Sequence, residues 1–359
     1  MIVLDAHCDA PSQMSRLRDY RLDNPHAQVD FPKMRRGGVD ASFFAAYVPA
    51  VLEGADATAH ARRLLDLLDS QVAANEDIVA YARCAGGVRR NRRAGRISIL
   101  AGIENASALD GSLGLLREFY RRGVRYITLT HSADNDVADS CTGNGRWGGL
   151  SPFGRELIPA MNHIGMLIDL AHSSDATMRD VLGLSEHPVA YTHGCCRALA
   201  SHRRNISDEL MRAIGERGGI VCMSIYPCFL DDAFVRALEA SGLQEEGEAV
   251  EAEFIKDPGN PEKAAAWAEV QRRLSALPRP SVSRVADHIE HAVNVAGFDH
   301  VGLGTDYDGI EVTADGLEDI SKFPALFDEL RRRGFSRKEI SKIAGENFLQ
   351  VLKVVRKRV

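Results

Sequence analysis

The length, composition and charge of the chain exclude several classes of protein. With 359 residues, 45% of them hydrophobic, the chain is long enough for one large barrel or for two ordinary domains. The formal net charge of −6, with lysine and arginine scattered along the chain, argues against nucleic acid as a partner. No segment approaches the roughly 18 consecutive apolar residues of a membrane span, so we expect no membrane partner.

The N-terminus enters an apolar segment at once. Residues 2–9, IVLDAHCD, follow the initiator methionine directly and leave no room for a secretory signal. The seven cysteines include no CxxC spacing, which argues against a disulfide framework and against a zinc site made of cysteines alone. We therefore expect a cytoplasmic protein with free thiols.

Short apolar segments bounded by turn residues predict eight strands. Helical patterns lie between most of them and include residues 59–79, 113–122, 154–164, 175–182 and 207–217, the last with Ser207 as its N-cap. The alternation predicts a single α/β domain over residues 1–359, a (β/α)8 TIM barrel. A doubly wound sheet is the alternative, less favoured because polar residues recur at nearly every strand end. The predicted strands are residues 2–9, 41–48, 97–105, 126–132, 166–173, 188–194, 219–227 and 300–309.

One predicted connection is much longer than the others. Residues 228–299, between the seventh and eighth predicted strands, contain an acidic helix, the helix breaker DPGNP and further helical patterns. A connection of this length at the active face of a barrel often forms a lid or a wall of the substrate pocket. An insertion that serves oligomer contacts explains it equally well. After the last strand, residues 336–358 predict two helices with a basic end.

Side chains that can bind metal occur at the ends of the predicted strands. His7 and Asp9 stand two positions apart, so both project to the same side while Cys8 points toward the helices. Asp5 shares that side, either as a partner of His7 or as a structural acceptor. The C-terminal ends of parallel strands face the same mouth of a barrel, so these groups should lie close together. The other strand ends carry Glu104, His131, His172, His193 and Asp306.

This set of side chains predicts a binuclear centre. A single catalytic zinc uses three protein ligands and an open position, and the set exceeds that need. Two divalent ions that share a bridging carboxylate fit better, and such a pair generates a hydroxide nucleophile and stabilises an oxyanion. Imidazole ligands favour zinc over magnesium or calcium. The sequence therefore predicts two Zn2+ per chain and hydrolysis of a carbonyl compound.

Nearly the whole chain resembles the membrane or renal dipeptidases, the zinc dipeptidase branch of the amidohydrolase-like barrels. The similar segments include DAHCD, GIENA, YITLTHSADNDVADS, MLIDLAHSS, PVAYTHGCCRAL and HVGLGTDYDG. The resemblance implies a barrel of the metal-dependent hydrolase type. It also implies hydrolysis of dipeptides that have a free C-terminal carboxylate, with tolerance of a D residue at the C-terminal position. The substrate would be a small molecule, and a homodimer is possible.

The resemblance also implies a role for each matching metal ligand. His7 and Asp9 would bind one zinc ion, His172 and His193 would bind the other, and Glu104 would bridge the two. The nucleophile would be a hydroxide held between the ions.

Three further residues match positions that act on the substrate. His131 would hydrogen-bond the substrate carbonyl and stabilise the tetrahedral intermediate. Arg204, in HRRN, would bind the α-carboxylate through its planar guanidinium. Asp306 would take a proton from the bridging water and pass it to the leaving amine.

The chain departs from the family pattern in ways that affect substrate preference. Cys8 stands where asparagine is commoner, and GIENA replaces a glycine-rich context after Glu104. The signal peptide, disulfides and lipid anchor of mammalian members are not seen, as in a bacterial cytosolic member. Another binuclear amidohydrolase, such as a D-aminoacylase or a β-lactam hydrolase, remains the alternative. A non-catalytic metal-binding barrel would be expected to have lost Asp306, His131 or Arg204.

Overall fold

The computed structural model describes residues 1–14, 19–24, 27–257 and 259–356. Within these ranges the chain forms a nearly closed parallel barrel surrounded by helices, so the prediction of a (β/α)8 barrel is confirmed. None of the helices in the described ranges has the length and apolar character needed to cross a membrane. Residues 357–358 of the predicted C-terminal helix lie outside the described part of the chain.

The strands form one 9-stranded sheet, in the order β1-β2-β4-β5-β6-β7-β8-β9, with β3 paired to β4 outside this path. Every pairing is parallel, so all strands end at the same mouth. The strands are β1 (Leu4–Cys8), β2 (Ala41–Tyr47), β3 (Val79–Tyr81), β4 (Ile97–Glu104), β5 (Val124–Thr128), β6 (Leu167–Asp169), β7 (Ala190–Gly194), β8 (Ile220–Met223) and β9 (Val301–Leu303).

Helices fill the connections, and several begin at a serine whose side chain accepts a backbone N–H of the first turn. Ser207 caps its helix as predicted, accepting from the N–H of Leu210 at 3.4 Å. The helices are α1 (Ala10–Met14), α2 (Phe31–Arg36), α3 (Gly54–Ala74), α4 (Ala85–Arg93), α5 (Leu113–Arg122), α6 (Pro152–Ile164), α7 (Asp175–Leu184), α8 (Asp208–Glu216), α9 (Pro227–Leu230), α10 (Asp232–Ser241), α11 (Leu243–Lys256), α12 (Pro261–Ser275), α13 (Val282–Ala296), α14 (Phe323–Arg332), α15 (Arg337–Ser341) and α16 (Asn347–Arg356).

The predicted helix over residues 59–79 is wrong at its C-terminal end. The helix α3 ends at Ala74, and β3 begins at Val79. The carbonyl of Asn75 accepts the N–H groups of both Ile78 and Val79 at 2.9 Å, which turns the chain away from the helix and toward the sheet. A three-residue strand offers too short a pattern for sequence periodicity to detect.

Four predicted strands end well before the predicted position. β5 ends at Thr128, β6 at Asp169, β8 at Met223 and β9 at Leu303, although the apolar patterns run to residues 132, 173, 227 and 309. His172 and Asp306 have positive φ angles of 66° and 68°, a left-handed conformation that cannot continue a strand. The chain therefore leaves the sheet before it reaches these polar side chains.

The barrel closes between β1 and the segment that follows β9. The N–H of Asp306 donates to the carbonyl of His7 at 3.1 Å. Asp5 accepts the N–H and the hydroxyl of Thr305 at 2.9 and 2.8 Å. Burial raises the pKa of Asp5 to about 6. Asp5 is thus a structural acceptor that joins the two ends of the sheet and holds His7 and Asp306 side by side.

The side chains of the strands divide into two apolar layers, as the alternation along a strand requires. Phe43, Leu100 and Tyr126 pack inside the barrel with Phe348 of α16. Phe44, the neighbour of Phe43, packs outward against the helices. Cys8 belongs to the same outer layer, as predicted.

Gly304 brings the end of β9 against β7, and we predict that Gly304→Ala strongly destabilises the fold. A Cβ atom at this position would lie 1.7 Å from the carbonyl oxygen of Thr192, which is backbone and cannot rotate away. The expected loss in the free energy of unfolding is about 2–4 kcal/mol, measured by denaturant titration.

Gly183 supplies the matched control. It lies within α7, and a Cβ atom there would meet nothing within 4 Å. Gly183→Ala should therefore leave the protein unchanged or stabilise it by up to about 1 kcal/mol, since alanine favours helix. Equal stability of the two variants would refute the close packing assigned to Gly304.

Candidate metal centre

Seven predicted side chains converge at the C-terminal mouth of the barrel. Three of them belong to the strands themselves: His7 to β1, Glu104 to β4 and His193 to β7. The other four lie on the loops just beyond strand ends, at Asp9, His131, His172 and Asp306. The three side chains on strands are held by the sheet, whereas the four on loops are free to take the backbone conformations that a metal site needs.

Glu104 lies between two groups of side chains. Its Oε2 is 3.6 Å from the Nε2 of His7. Its Oε1 is 2.9 Å from the Nε2 of His172 and 3.3 Å from the Nε2 of His193. The two carboxylate oxygens thus face different histidines. The two sides are close to each other, because the rings of His7 and His193 lie 3.8 Å apart and form one candidate ligand group with Glu104.

One half of the site contains His7, Asp9 and Asp306. The Nε2 of His7 is 3.4 Å from Asp9 Oδ2 and 3.9 Å from Asp306 Oδ1. Gly309 permits this approach, because a Cβ atom there would lie 2.2 Å from the carboxylate of Asp9. Although burial acts to lower the pKa of His7, the carboxylates of Glu104 and Asp9 hold it well above its usual range.

The other half contains His172 and His193, with their Nε2 atoms 3.1 Å apart. Burial lowers the pKa of both imidazoles well below the usual range, so both rings are neutral and can act as metal ligands. Burial opposes ionisation of Glu104, but His7 and the bonds from the two imidazoles hold its pKa well below the usual range. Neutral imidazoles around an ionised carboxylate match the donor set of a zinc site.

Several buried polar atoms at the site have no hydrogen-bond partner among the described residues. They include Nε2 of His7 and Oδ1 of Asp9, in side chains that are 0% and 5% exposed. Such atoms are expensive to bury unless something binds them. A divalent cation in each half would satisfy these atoms and offset the crowded carboxylates, so the residues fit a metal centre.

In two candidate ligands, His7 and His193, the Nδ1 atom on the far side of the ring contacts a hydroxyl group. The Nδ1 of His7 lies 2.8 Å from the hydroxyl of Tyr126. The Nδ1 of His193 lies 2.9 Å from the hydroxyl of Thr192, which donates to Asp169 at 2.7 Å. Such contacts orient a metal ligand and select its tautomer. Tyr126 was not identified from the sequence, although it lies on the inward side of its strand.

We predict that Tyr126→Phe weakens metal binding without unfolding the protein. The ring would still fill its place in the barrel interior, but His7 would lose the bond that orients it. Loss of such a bond typically costs about 10–100-fold in metal affinity. Competition with a chelator measures the effect. Tyr81→Phe, which removes a hydroxyl bonded to the exposed Asp69, is the control, and an equal affinity of the two variants would contradict the role of Tyr126.

His131 stands beside the centre on the loop after β5. Its ring centroid is 4.2 Å from that of His172 and 4.6 Å from that of Tyr47. Its buried Nδ1 has no hydrogen-bond partner in the part of the chain that the structure describes, and burial lowers the pKa of the imidazole. The ring also lies close enough to Glu104 and His172 to form a ligand group with them. Its position therefore suits either a ligand or a donor to substrate.

Arg204 is buried beside the His172 and His193 half. Its side chain donates to the carbonyl of His193 at 3.3 Å and to the hydroxyl of Tyr191 at 3.4 Å. Within the described ranges its Nε has no hydrogen-bond partner, although against burial the charges of Asp306 and Glu104 help to raise the pKa of the guanidinium and the Phe229 ring lies 5.2 Å away. A guanidinium that is 5% exposed and makes no close ion pair with a described carboxylate is costly, which favours a bound anion at this place.

A cavity of 430 Å³ opens over the site. Its lining includes Asp9, Glu104, His131, His172 and Asp306, whereas Arg204, His7 and His193 are not lining residues. Most of the other residues that line the cavity were not identified from the sequence. These residues include Gln13, Gln28, Tyr47, Glu251, Trp267, Gln271 and Glu311.

Part of the wall comes from the long connection between β8 and β9. Glu251 lies on α11, and Trp267 and Gln271 lie on α12. The two helices pack on each other, with Trp267 6% exposed. This connection therefore reaches the cavity, in keeping with a wall of the pocket.

Comparisons with known proteins give matches over nearly the whole chain. The family model described as membrane dipeptidase (peptidase family M19) matches residues 1–358. Dipeptidase verJ of Clonostachys rogersoniana is 33% identical over 355 residues, which cover 95% of this chain and 79% of that protein.

Two crystal structures are similar in fold. The probable dipeptidase PvdM from Pseudomonas aeruginosa has a TM-score of 0.85 at 25% identity, covering 100% of this chain and 96% of that one. A metallo peptidase from Rhodobacter sphaeroides, liganded with a phosphinate mimic of the dipeptide L-Ala-D-Ala, has a TM-score of 0.81 at 22% identity. That match covers 99% of each chain.

Proposed function

The chain belongs to the membrane dipeptidase family, peptidase family M19, and on that premise we propose that it uses two zinc ions to hydrolyse dipeptides with a free C-terminal carboxylate. Membership makes the protein a metal-dependent dipeptidase. The number and identity of the ions, the residue roles and the stereochemical preference are our proposal.

The observation that carries the proposal is the placement of Arg204 beside a centre divided by Glu104. The Nε–H of the buried guanidinium has no partner among the described residues, and a guanidinium can bind a carboxylate through two parallel N–H groups. A dipeptide whose C-terminal carboxylate binds there would place its peptide carbonyl toward the centre, because Arg204 contacts the backbone of His193. Binding at Arg204 would therefore orient the scissile bond and reduce the entropy lost at the reaction step.

In this proposal five side chains hold the ions, and Glu104 is shared by both. His7 and Asp9 would hold one ion, and His172 and His193 the other. Ions held by these residues would supply Lewis acidity, which would lower the pKa of a nucleophilic water and polarise the substrate carbonyl.

The protein's own acid, base and hydrogen-bond donors would complete the reaction. Asp306 lies 3.9 Å from His7 and faces the cavity, so its carboxylate can take a proton from the nucleophilic water and deliver it to the leaving amine. His131 can donate to the carbonyl oxygen as negative charge develops there. Both groups lie on the cavity wall, where a substrate can reach them.

We also propose that the enzyme accepts a D residue at the C-terminal position of the dipeptide, and a similar protein supports this. The structurally similar metallo peptidase from Rhodobacter sphaeroides binds a mimic of L-Ala-D-Ala. A dipeptide library with both stereochemistries at each position would test this. We expect hydrolysis of L-Xaa-D-Xaa and L-Xaa-L-Xaa dipeptides. Hydrolysis only of N-acyl-D-amino acids or of β-lactams would favour those activities instead.

A further inference from the structure

The outer wall of the cavity is acidic. No lysine or arginine occurs among its described lining residues. Glu251 of α11 and Glu311 of the loop after β9 lie on this wall, outside the set of proposed metal ligands. The two carboxylates are close enough that Glu251 contributes to the raised pKa of Glu311.

The cavity that contains these two acids is the one that opens over the centre. Asp9, Glu104 and Asp306 line the same 430 Å³ space as Glu251 and Glu311. A substrate bound at the centre therefore shares this cavity with the two acids.

Arg204 and the two acids differ in their relation to the cavity. Arg204 is buried, donates to the carbonyl of His193 and is not a lining residue, whereas Glu251 and Glu311 line the cavity together with Glu104. A dipeptide with its carboxylate at Arg204 and its carbonyl at Glu104 would extend its N-terminal residue into this cavity. The side chain of that residue would then approach the two acids.

The two acids lie outside the set that would hold the ions. Two divalent ions would lie among Asp9, Glu104 and the histidines, whereas Glu251 and Glu311 are further acids of the same cavity. Burial raises the pKa of Glu311 to about 7, so an approaching cation would stabilise its ionised form.

Trp267 lies on the same wall and offers an apolar surface to an aliphatic stem. Lysine and arginine side chains combine such a stem with a positive end. An anionic side chain would meet two like charges in the same place.

We propose that Glu251 and Glu311 form a subsite for a cationic side chain on the N-terminal residue of the dipeptide, so that lysyl and arginyl dipeptides are the preferred substrates. This inference rests on the proposed dipeptidase function and adds the class of substrate.

The primary experiment compares L-lysyl-alanine with L-norleucyl-alanine on the zinc-loaded enzyme, with both stereoisomers of alanine. Norleucine keeps the aliphatic stem and removes the ammonium group, so the ratio of kcat/KM values isolates the charge. We expect a preference of at least about tenfold for lysine at low salt, and a smaller preference at high salt. L-Glutamyl-alanine should be the poorest of the three substrates.

Variants assign the preference to the two acids. Glu251→Gln, Glu311→Gln and the double variant keep the shape of the side chains, and the double variant should reduce the lysine preference to within about twofold. Glu248→Gln is the matched control, because it removes an exposed acid from the same helix without reaching the cavity. Its lysine preference should equal that of the wild type.

The outcomes separate this inference from the proposed function. Hydrolysis of lysyl and norleucyl dipeptides at equal rates by the wild type would overturn the subsite while leaving the dipeptidase function intact. A lysine preference that survives in the double variant would also overturn it. Failure of the zinc-loaded wild type to cleave any dipeptide would overturn the proposed function, and the subsite with it.

Discussion

Replacing Asp306 with asparagine will leave the metal centre occupied and reduce kcat by at least about 100-fold. The expected loss follows from the position of this carboxylate. Asp306 lines the cavity, and its Oδ1 lies 3.9 Å from His7 Nε2. Asparagine keeps the size of the side chain but can neither accept nor deliver the proton that peptide hydrolysis requires.

The metal content of the variant separates proton transfer from ligation. Asp306 is near enough to His7 and Asp9 to form a ligand group with them. If Asp306 were an essential ligand, Asp306→Asn would lose metal in parallel with activity. Asp315→Asn, which removes an exposed acid from the same loop, is the control. Turnover close to that of the wild type would show that another group transfers the proton.

Replacing Arg204 with methionine will selectively impair substrates with a free C-terminal carboxylate. On the wild-type enzyme, converting that carboxylate to an amide should cost about 2–5 kcal/mol in kcat/KM, because a buried guanidinium would be left without its anion. On Arg204→Met the acid and the amide should be cleaved at similar, low efficiency. Kinetics on a dipeptide and its C-terminal amide measure both effects.

The neighbouring arginine provides a matched control. Arg203 is exposed, whereas Arg204 is buried. Arg203→Met should therefore keep the wild-type preference for the acid. If the wild type cleaved the acid and the amide equally well, Arg204 would not bind the C-terminal carboxylate. That result would favour an amidohydrolase that does not recognise a free carboxylate.

The convergence of candidate ligands could be predicted from the sequence because it depends on strand direction alone. His7, Glu104 and His193 lie at the ends of parallel strands, and such ends meet at one mouth whatever the details of packing. The turns at His172 and Asp306 could not be predicted, because a positive φ at these residues is a local exception to their ordinary preference.

The walls of the pocket depend on contacts that sequence periodicity does not encode. Glu251 and Trp267 reach the cavity from α11 and α12, and their position is set by how that helix pair packs over the barrel. Arg204 lies on a loop, so only the family resemblance pointed to it. Tyr126 acts through His7 from inside the barrel, where it resembles an ordinary core residue.

The stoichiometry of activation by zinc tests the central claim most directly. Metal-free protein would be titrated with zinc while hydrolysis of an L-Xaa-D-Xaa dipeptide and bound metal are measured together. If Glu104 is shared by two ions, activity should reach its plateau only when two equivalents are bound. Full activity at one equivalent, or no dipeptide hydrolysis at two, would contradict a binuclear zinc dipeptidase.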